Sequence, residues 1–303
     1  MQRRDLQRGA TEARDRARHR GRRSRTAGAS DPLERLGDHL DQMVIPRPTA
    51  VDLDRFARET SHLDVSLGER LRQLAIHLEY SRGVHAWSVL APVYAASLRA
   101  DPDNADAWSS AAIARWHNDA DTQTVAEACV ASCRRAVALA PADGHPPHGV
   151  LGMLLYQAGH LDEAITVLQH AIGLGRVGWP HLWLAHALHD LERWPEAAAA
   201  YAEIPAAALP PQASWRLQLA REQRAACLYR AGQREAASRL YGEVLTRFER
   251  ALDAGLDALA SPVLATGAPS YLMADLAAFP ELRARCVAVV ARLGDAPPSG
   301  SSR

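Results

Sequence analysis

The chain has 303 residues, with 35 basic side chains against 35 acidic ones, so its formal net charge is zero. No apolar run reaches the roughly 18 residues of a membrane-spanning helix, and the four cysteines are too scattered for a disulfide framework. All 35 basic residues are arginine and 59 residues are alanine, the best helix former, while Phe occurs three times, so the expected class is all-α.

Zero net charge hides an asymmetry. Residues 1–30 carry ten arginines against Asp5, Glu12 and Asp15, a segment of +7, which leaves residues 31–303 at −7. The segment has almost no large apolar side chain to offset its ordering entropy, so it is expected to be a disordered tail. It reads as a solvated tail, or as residues upstream of a true start at Met43, or as an arm for nucleic acid or another acidic surface. It has neither the apolar core of a secretory signal nor an apolar face for a transit segment. Arginine and alanine without lysine point to a high-GC, bacterial-type genome.

Residues 31–68 hold two short helical patterns, DPLERLGDHLDQM and VDLDRFARETSHL, with Asp31 and Asp52 as candidate N-caps. They read as an N-terminal helical cap. From 69 to 250 the chain repeats. One pair of helices runs from about Leu71 to Pro102, turning at Gly83. The next opens at Trp108, turns within His117–Thr124 and stops at Pro141. The clearest spans Gly149–Leu174, broken at Gly159, with Ala164, Leu168 and Ala171 at i, i+4 and i+7 on its second helix. The same frame returns in Leu184–Ile204 and in Ala225–Val244. The anchor alanine moves from Ala164 to Ala197 to Ala237, steps of 33 and 40 residues.

Helix axes 8–10 Å apart require small residues where they approach. Ala112, Gly152, Ala185 and Ala225 fill one such slot, and Ala164, Ala197 and Ala237 the other. Leu168, Tyr201 and Tyr241 fill the wider gap one turn on. Pro102, Pro141 and Pro205 stop the second helices. Residues 251–295 read as C-terminal capping helices: Gly255 ends one helix, Pro262, Gly267 and Pro269 make a loop, and Pro280 opens a last helix with Leu282, Val289 and Leu293 on one face. Residues 296–303 read as a disordered tail.

The spacing of Pro102, Trp108, Leu151-Gly152, Ala164, Leu168 and Ala171 resembles the tetratricopeptide repeat (TPR) family over residues 70–250, in four to five units. The resemblance implies a right-handed α-solenoid of stacked antiparallel helix pairs, acting as a protein–protein interaction scaffold or adaptor. In that family the first helices line a concave groove. The matching positions here are Trp116 and His117; Met153, Tyr156 and Gln157; His186, His189 and Asp190; and Tyr229 and Arg230, with Glu222 near one end. Trp116, Tyr156, His189 and Tyr229 recur at one position, an expected ladder for an extended peptide, although such positions also pack between pairs. The carboxylate clamp of some family members is missing, because its positions carry Ser109, Ile113, Val150, Trp179 and Trp183. Trp179 and Trp183 instead suggest an apolar pocket at the groove centre, or core.

Enzyme signatures are sparse. His186, His189 and Asp190 at i, i+3 and i+4 are compatible with a metal, but a further ligand from His145, His148 or His181 is required, and no HExxH occurs. Cys129 and Cys133 fall in a small-residue stripe and read as buried inert thiols. No GxSxG, P-loop or GxGxxG is present. The expectation is a cytoplasmic, non-enzymatic binder without cofactor or membrane contact, touching nucleic acid only through residues 1–30.

Overall fold

The computed structural model describes residues 31–42, 48–119, 123–140, 147–175, 178–205, 215–256, 261, 263–264 and 276–295. The expectations for residues 1–30, Met43, Pro141, His145, the loop at Pro262, Gly267 and Pro269, and residues 296–303 lie outside them. The described residues form thirteen α-helices and no strand. In chain order these are α1 (Pro32–Gln42), α2 (Ala50–Glu59), α3 (Leu67–Tyr80), α4 (Trp87–Ala100), α5 (Ala105–Asn118), α6 (Gln123–Leu139) and α7 (His148–Ala158), followed by α8 (Leu161–Gly173), α9 (Trp179–Asp190), α10 (Trp194–Ala202), α11 (Trp215–Arg230), α12 (Arg234–Asp253) and α13 (Pro280–Asp295). No described helix is long and apolar enough to cross a membrane. The chain divides into two compact units, 1–158 and 159–303.

In unit 1, α3 packs on α4, α4 on α5, α5 on α6 and α6 on α7. Its core joins Leu36 and Leu40 of α1, Leu53 and Phe56 of α2, Leu71, Leu74 and Leu78 of α3, and Leu90, Val93 and Tyr94 of α4. Asp31 caps α1, its carboxylate accepting from the Leu33 amide at 2.9 Å. Asp52 is not an N-cap. Thr49 caps α2, and Asp52, three residues on, closes the capping box by accepting from the Thr49 amide at 3.0 Å. Sequence favoured Asp52 because aspartate is a good cap, but the reciprocal Thr/Asp pair starts the helix three residues earlier. Arg70 ties α3 to the end of α2, donating to the Ala57 carbonyl (3.1 Å) and to Thr60 Oγ1 (2.7 Å). Gly68 permits the closest approach of α3 and α4: a Cβ there would stand 2.5 Å from the Asp101 Cβ. Ser97 Oγ donates to the Gly68 carbonyl at 2.6 Å across the same contact.

In unit 2, every helix from α8 to α13 packs on the next. The repeat frame is physical here. Ala164, Ala185, Ala197, Ala225 and Ala237 are fully buried, and Leu168, Tyr201 and Tyr241 fill the gaps beyond them. Five residues before each anchor alanine the backbone turns into the left-handed region, at Gly159 (φ 86°), Glu192 (φ 59°) and Gly232 (φ 79°). The last two turns share one hydrogen-bond pattern: Arg193 N to Leu188 O at 3.0 Å, and Gln233 N to Leu228 O at 2.9 Å. This is a Schellman closure, which satisfies carbonyls that the helix end leaves open. The predicted helix after Val244 is continuous with the second helix of its pair, and Gly255 (φ 64°) follows its end.

The expected final helix covers α12. Cys286 and Val289 are its buried centre. Phe279, just before it, lies between Tyr229 and Tyr241, with ring centroids at 5.2 and 5.7 Å. Arg285 grips Glu249 with two hydrogen bonds of 2.9 and 2.7 Å.

Candidate functional site

In unit 1 the first helices meet near their C-terminal ends. Glu79 of α3 is 2% exposed and accepts a hydrogen bond from Asn118 Nδ2 of α5 at 2.7 Å. His117 Nδ1 lies 3.8 Å from the same carboxylate oxygen. Trp116 is half-buried and His117 exposed beside this junction, and Met153, Tyr156 and Gln157 form a half-buried strip on α7. Glu79 and Asn118 were not anticipated from sequence. A lone Glu in LAIHLEY carries no sign that an asparagine 39 residues on will cover it.

The second helices hold no reactive thiol. Cys129 and Cys133 are buried on α6, and burial pushes their thiols up to about 11 and about 12. Cys227 on α11 is likewise pushed up to about 12 by burial. Such groups stay protonated and weakly nucleophilic.

In unit 2 the predicted residues separate into two sets. Trp183 is 4% exposed and Glu222 fully buried, so both belong to the packing rather than to an open face. His186 is also tied inward, with Nδ1 2.8 Å from the Tyr201 hydroxyl and its ring edge-on to Trp183 and Tyr201. Burial lowers its pKa to about 4, so the imidazole is neutral at pH 7. His189, Asp190 and Arg230 stand on the surface side. His189 Nδ1 is 3.0 Å from Asp190 Oδ1, and its ring meets Trp194 edge-on at 5.2 Å. The Arg230 guanidinium lies 4.7 Å over the same indole. Trp194 thus sits between a histidine and an arginine.

Nearby, Arg216 of α11 lies 5.2 Å over Trp179 of α9 and 4.6 Å over Trp215. Tyr229 points to Phe279 instead of joining a ladder. Trp194, Trp215 and Arg216 were missed because the groove rule surveys first helices at fixed offsets. Trp194 opens a second helix, and Trp215 and Arg216 open a first helix ahead of those offsets. The three His/Asp positions on α9 do not form a metal set. Tyr201 engages His186, and among the described residues no three His, Cys, Asp or Glu side chains converge as a metal-binding group.

The face is chemically an aromatic strip with one exposed stacked cation, Arg230, and one buried beneath it between tryptophans, Arg216. Stacking of a guanidinium on an indole contributes about 0.5–1 kcal/mol at exposed sites and fixes the cation's direction. The pairs that bear it are TPR-like helical hairpins, defined by the alanine register and the repeated Schellman turns.

No protein-family model matches the chain, and no curated protein matches it. Solved structures do. The MamA protein is 16% identical, covering 62% of this chain and 98% of its own, with a TM-score of 0.49. A thermophilic TPR protein of Thermus thermophilus is 16% identical, covering 74% of this chain and 99% of its own, with a TM-score of 0.45. Likeness at this level adds nothing to what the helix pairs themselves establish.

Proposed function

We propose that this chain is a non-enzymatic interaction scaffold of the cytoplasm, which binds a protein or peptide partner on the face of its first helices. The repeat domain is taken as 69–250, with caps at 31–68 and 251–295. One observation carries the reading. Trp194 is held between His189 and Arg230 at the surface, a rigid aromatic with a cation beside it, the residue types that dominate binding hot spots. In unit 1, Trp116, Met153, Tyr156 and Gln157 offer a comparable half-buried surface. Function is argued from these surfaces, since fold alone does not specify it. The test is quantitative affinity purification from the native host with the full chain and its variants. Proteins enriched on the native chain should be lost with Tyr156→Ala/His189→Ala and with Trp194→Ala/Arg230→Ala. Equal recovery on all three chains would remove this face from the reading.

The ten arginines of residues 1–30 favour a second reading, a nucleic-acid contact made by that segment alone. It requires binding that weakens steeply with salt and disappears when residues 1–30 are deleted.

A further inference from the structure

Away from the first-helix face, α12 and α13 enclose a cleft of about 480 Å³ lined by Arg239, Glu243, Thr246, Arg247, Arg250 and Arg285 around Gly242. Gly242 lies on its floor. A Cβ there would reach Arg285 Nη1 and Leu282 Cδ2, both at 3.9 Å. Arg285 is already committed to Glu249 and to Thr246 Oγ1 (2.9 Å). Arg239, Arg247 and Arg250 are different: all three are exposed, and none of their guanidinium groups makes a hydrogen bond or ion pair with a described residue. Arg221 of α11 adds a further positive charge close to Arg247. Unpaired like charges repel one another, so gathering them in one cleft costs stability unless an anion enters. They do so on a body whose residues 31–303 sum to −7.

We propose that this cleft is a second docking surface, which takes an extended acidic segment of a partner protein. Length and charge both favour that occupant. Arg239 and Arg250 are eleven residues apart on one helix, ~16 Å at 1.5 Å per residue. A single carboxylate or phosphate cannot span that, whereas about five residues of extended peptide do. Glu243 interrupts the positive strip, while Glu249 beside it is neutralised by Arg285. A uniformly charged nucleic-acid backbone meets repulsion at Glu243. A peptide can set its carboxylates opposite Arg239, Arg247 and Arg250 and place neutral residues beside Glu243.

The experiment uses the full chain and a labelled peptide of about ten residues, with Glu and Asp alternating with Gly and Ser. The peptide carries a photo-crosslinking group. Fluorescence anisotropy at low salt should show binding that falls about tenfold or more in Arg239→Gln/Arg247→Gln/Arg250→Gln. Cross-links should map to residues 239–250 and 282–285. Tyr156→Ala/His189→Ala should bind as the native chain does, which separates this cleft from the first-helix face. If the triple variant loses its helical signal, the single Arg247→Gln change is read instead, with a loss of about threefold. Unchanged affinity in the cleft variants overturns the proposal, as do cross-links confined to residues 1–30. So does a single-stranded oligonucleotide of equal charge that displaces the peptide from residues 239–250 and binds there more tightly. That result would identify a nucleic-acid surface.

Discussion

Unit 1 packs Leu71, Leu74, Leu78, Leu90, Val93 and Tyr94 into one branched and aromatic core, with a close approach at Gly68 and buried alanines at Ala75, Ala107, Ala114 and Ala136. Unit 2 sets buried alanines at one register on successive helices and lets Leu168, Tyr201 and Tyr241 fill the space one turn on. Their charges differ as well. Residues 31–158 carry eleven arginines against seventeen carboxylates, and residues 159–303 carry fourteen against fifteen. Unit 1 buries its polar groups in pairs with named partners, such as Glu79 with Asn118 and Arg70 with Thr60. Unit 2 instead lays arginines across indoles, at Trp179, Trp194 and Trp215. Both units bury alanines where helices approach, and unit 1 adds a glycine contact to them.

The heaviest loss should come from removing bulk in unit 1. Leu74→Ala should cost about 2–5 kcal/mol, because a buried leucine leaves a cavity that its neighbours fill only in part. Denaturant unfolding followed by far-UV circular dichroism reads it. In unit 2 the matching insult is overpacking. Ala197→Leu, at a fully buried anchor, should cost about 1–3 kcal/mol by the same measurement. Gly68→Ala is the intermediate case. Its new Cβ meets the Asp101 Cβ at 2.5 Å, so α3 and α4 must separate, at a cost again of about 1–3 kcal/mol. A tolerant Ala197 would show that the anchor row of unit 2 is not closely packed.

A pH series probes a half-buried imidazole packed into unit 2. His186 has its pKa lowered from the ordinary 6.5 to about 4 by burial. The unfolded chain therefore binds a proton that the folded chain refuses between these values. Its contribution to stability is present above pH 6.5 and is lost as the pH falls toward 4. The melting temperature should drop through that window, and His186→Asn should flatten the drop. An unchanged slope would show that His186 is not the group responsible.

A slight gain is expected at one turn. Glu192 stands at the left-handed turn position that Gly159 and Gly232 occupy in the neighbouring pairs. A non-glycine residue there costs about 1–2 kcal/mol, partly offset by the chain entropy that glycine loses on folding. Glu192→Gly should therefore raise stability by about 0.5–1 kcal/mol in a thermal melt.

Class and repeat frame were legible in the residue order alone. Spacing of small residues is a local, periodic signal, and close helix approach admits few side chains, so Ala164, Ala197 and Ala237 announced the pairs before any coordinates. The turn positions and the last helix were legible for the same reason. What lies on the exposed face was legible only in part. His189 and Arg230 follow from a fixed offset, but Trp194 between them comes from the next helix. Trp183, Glu222 and Tyr229 share similar offsets yet turn inward or toward Phe279. The arginine cleft was invisible in a chain of zero net charge. Charge sums along a sequence, whereas a cleft depends on which arginines find a carboxylate across a helix contact. Arg285 finds Glu249, and Arg239, Arg247 and Arg250 find none among the described residues. That outcome belongs to the packed helices, because ion pairing acts through space between residues that no period connects.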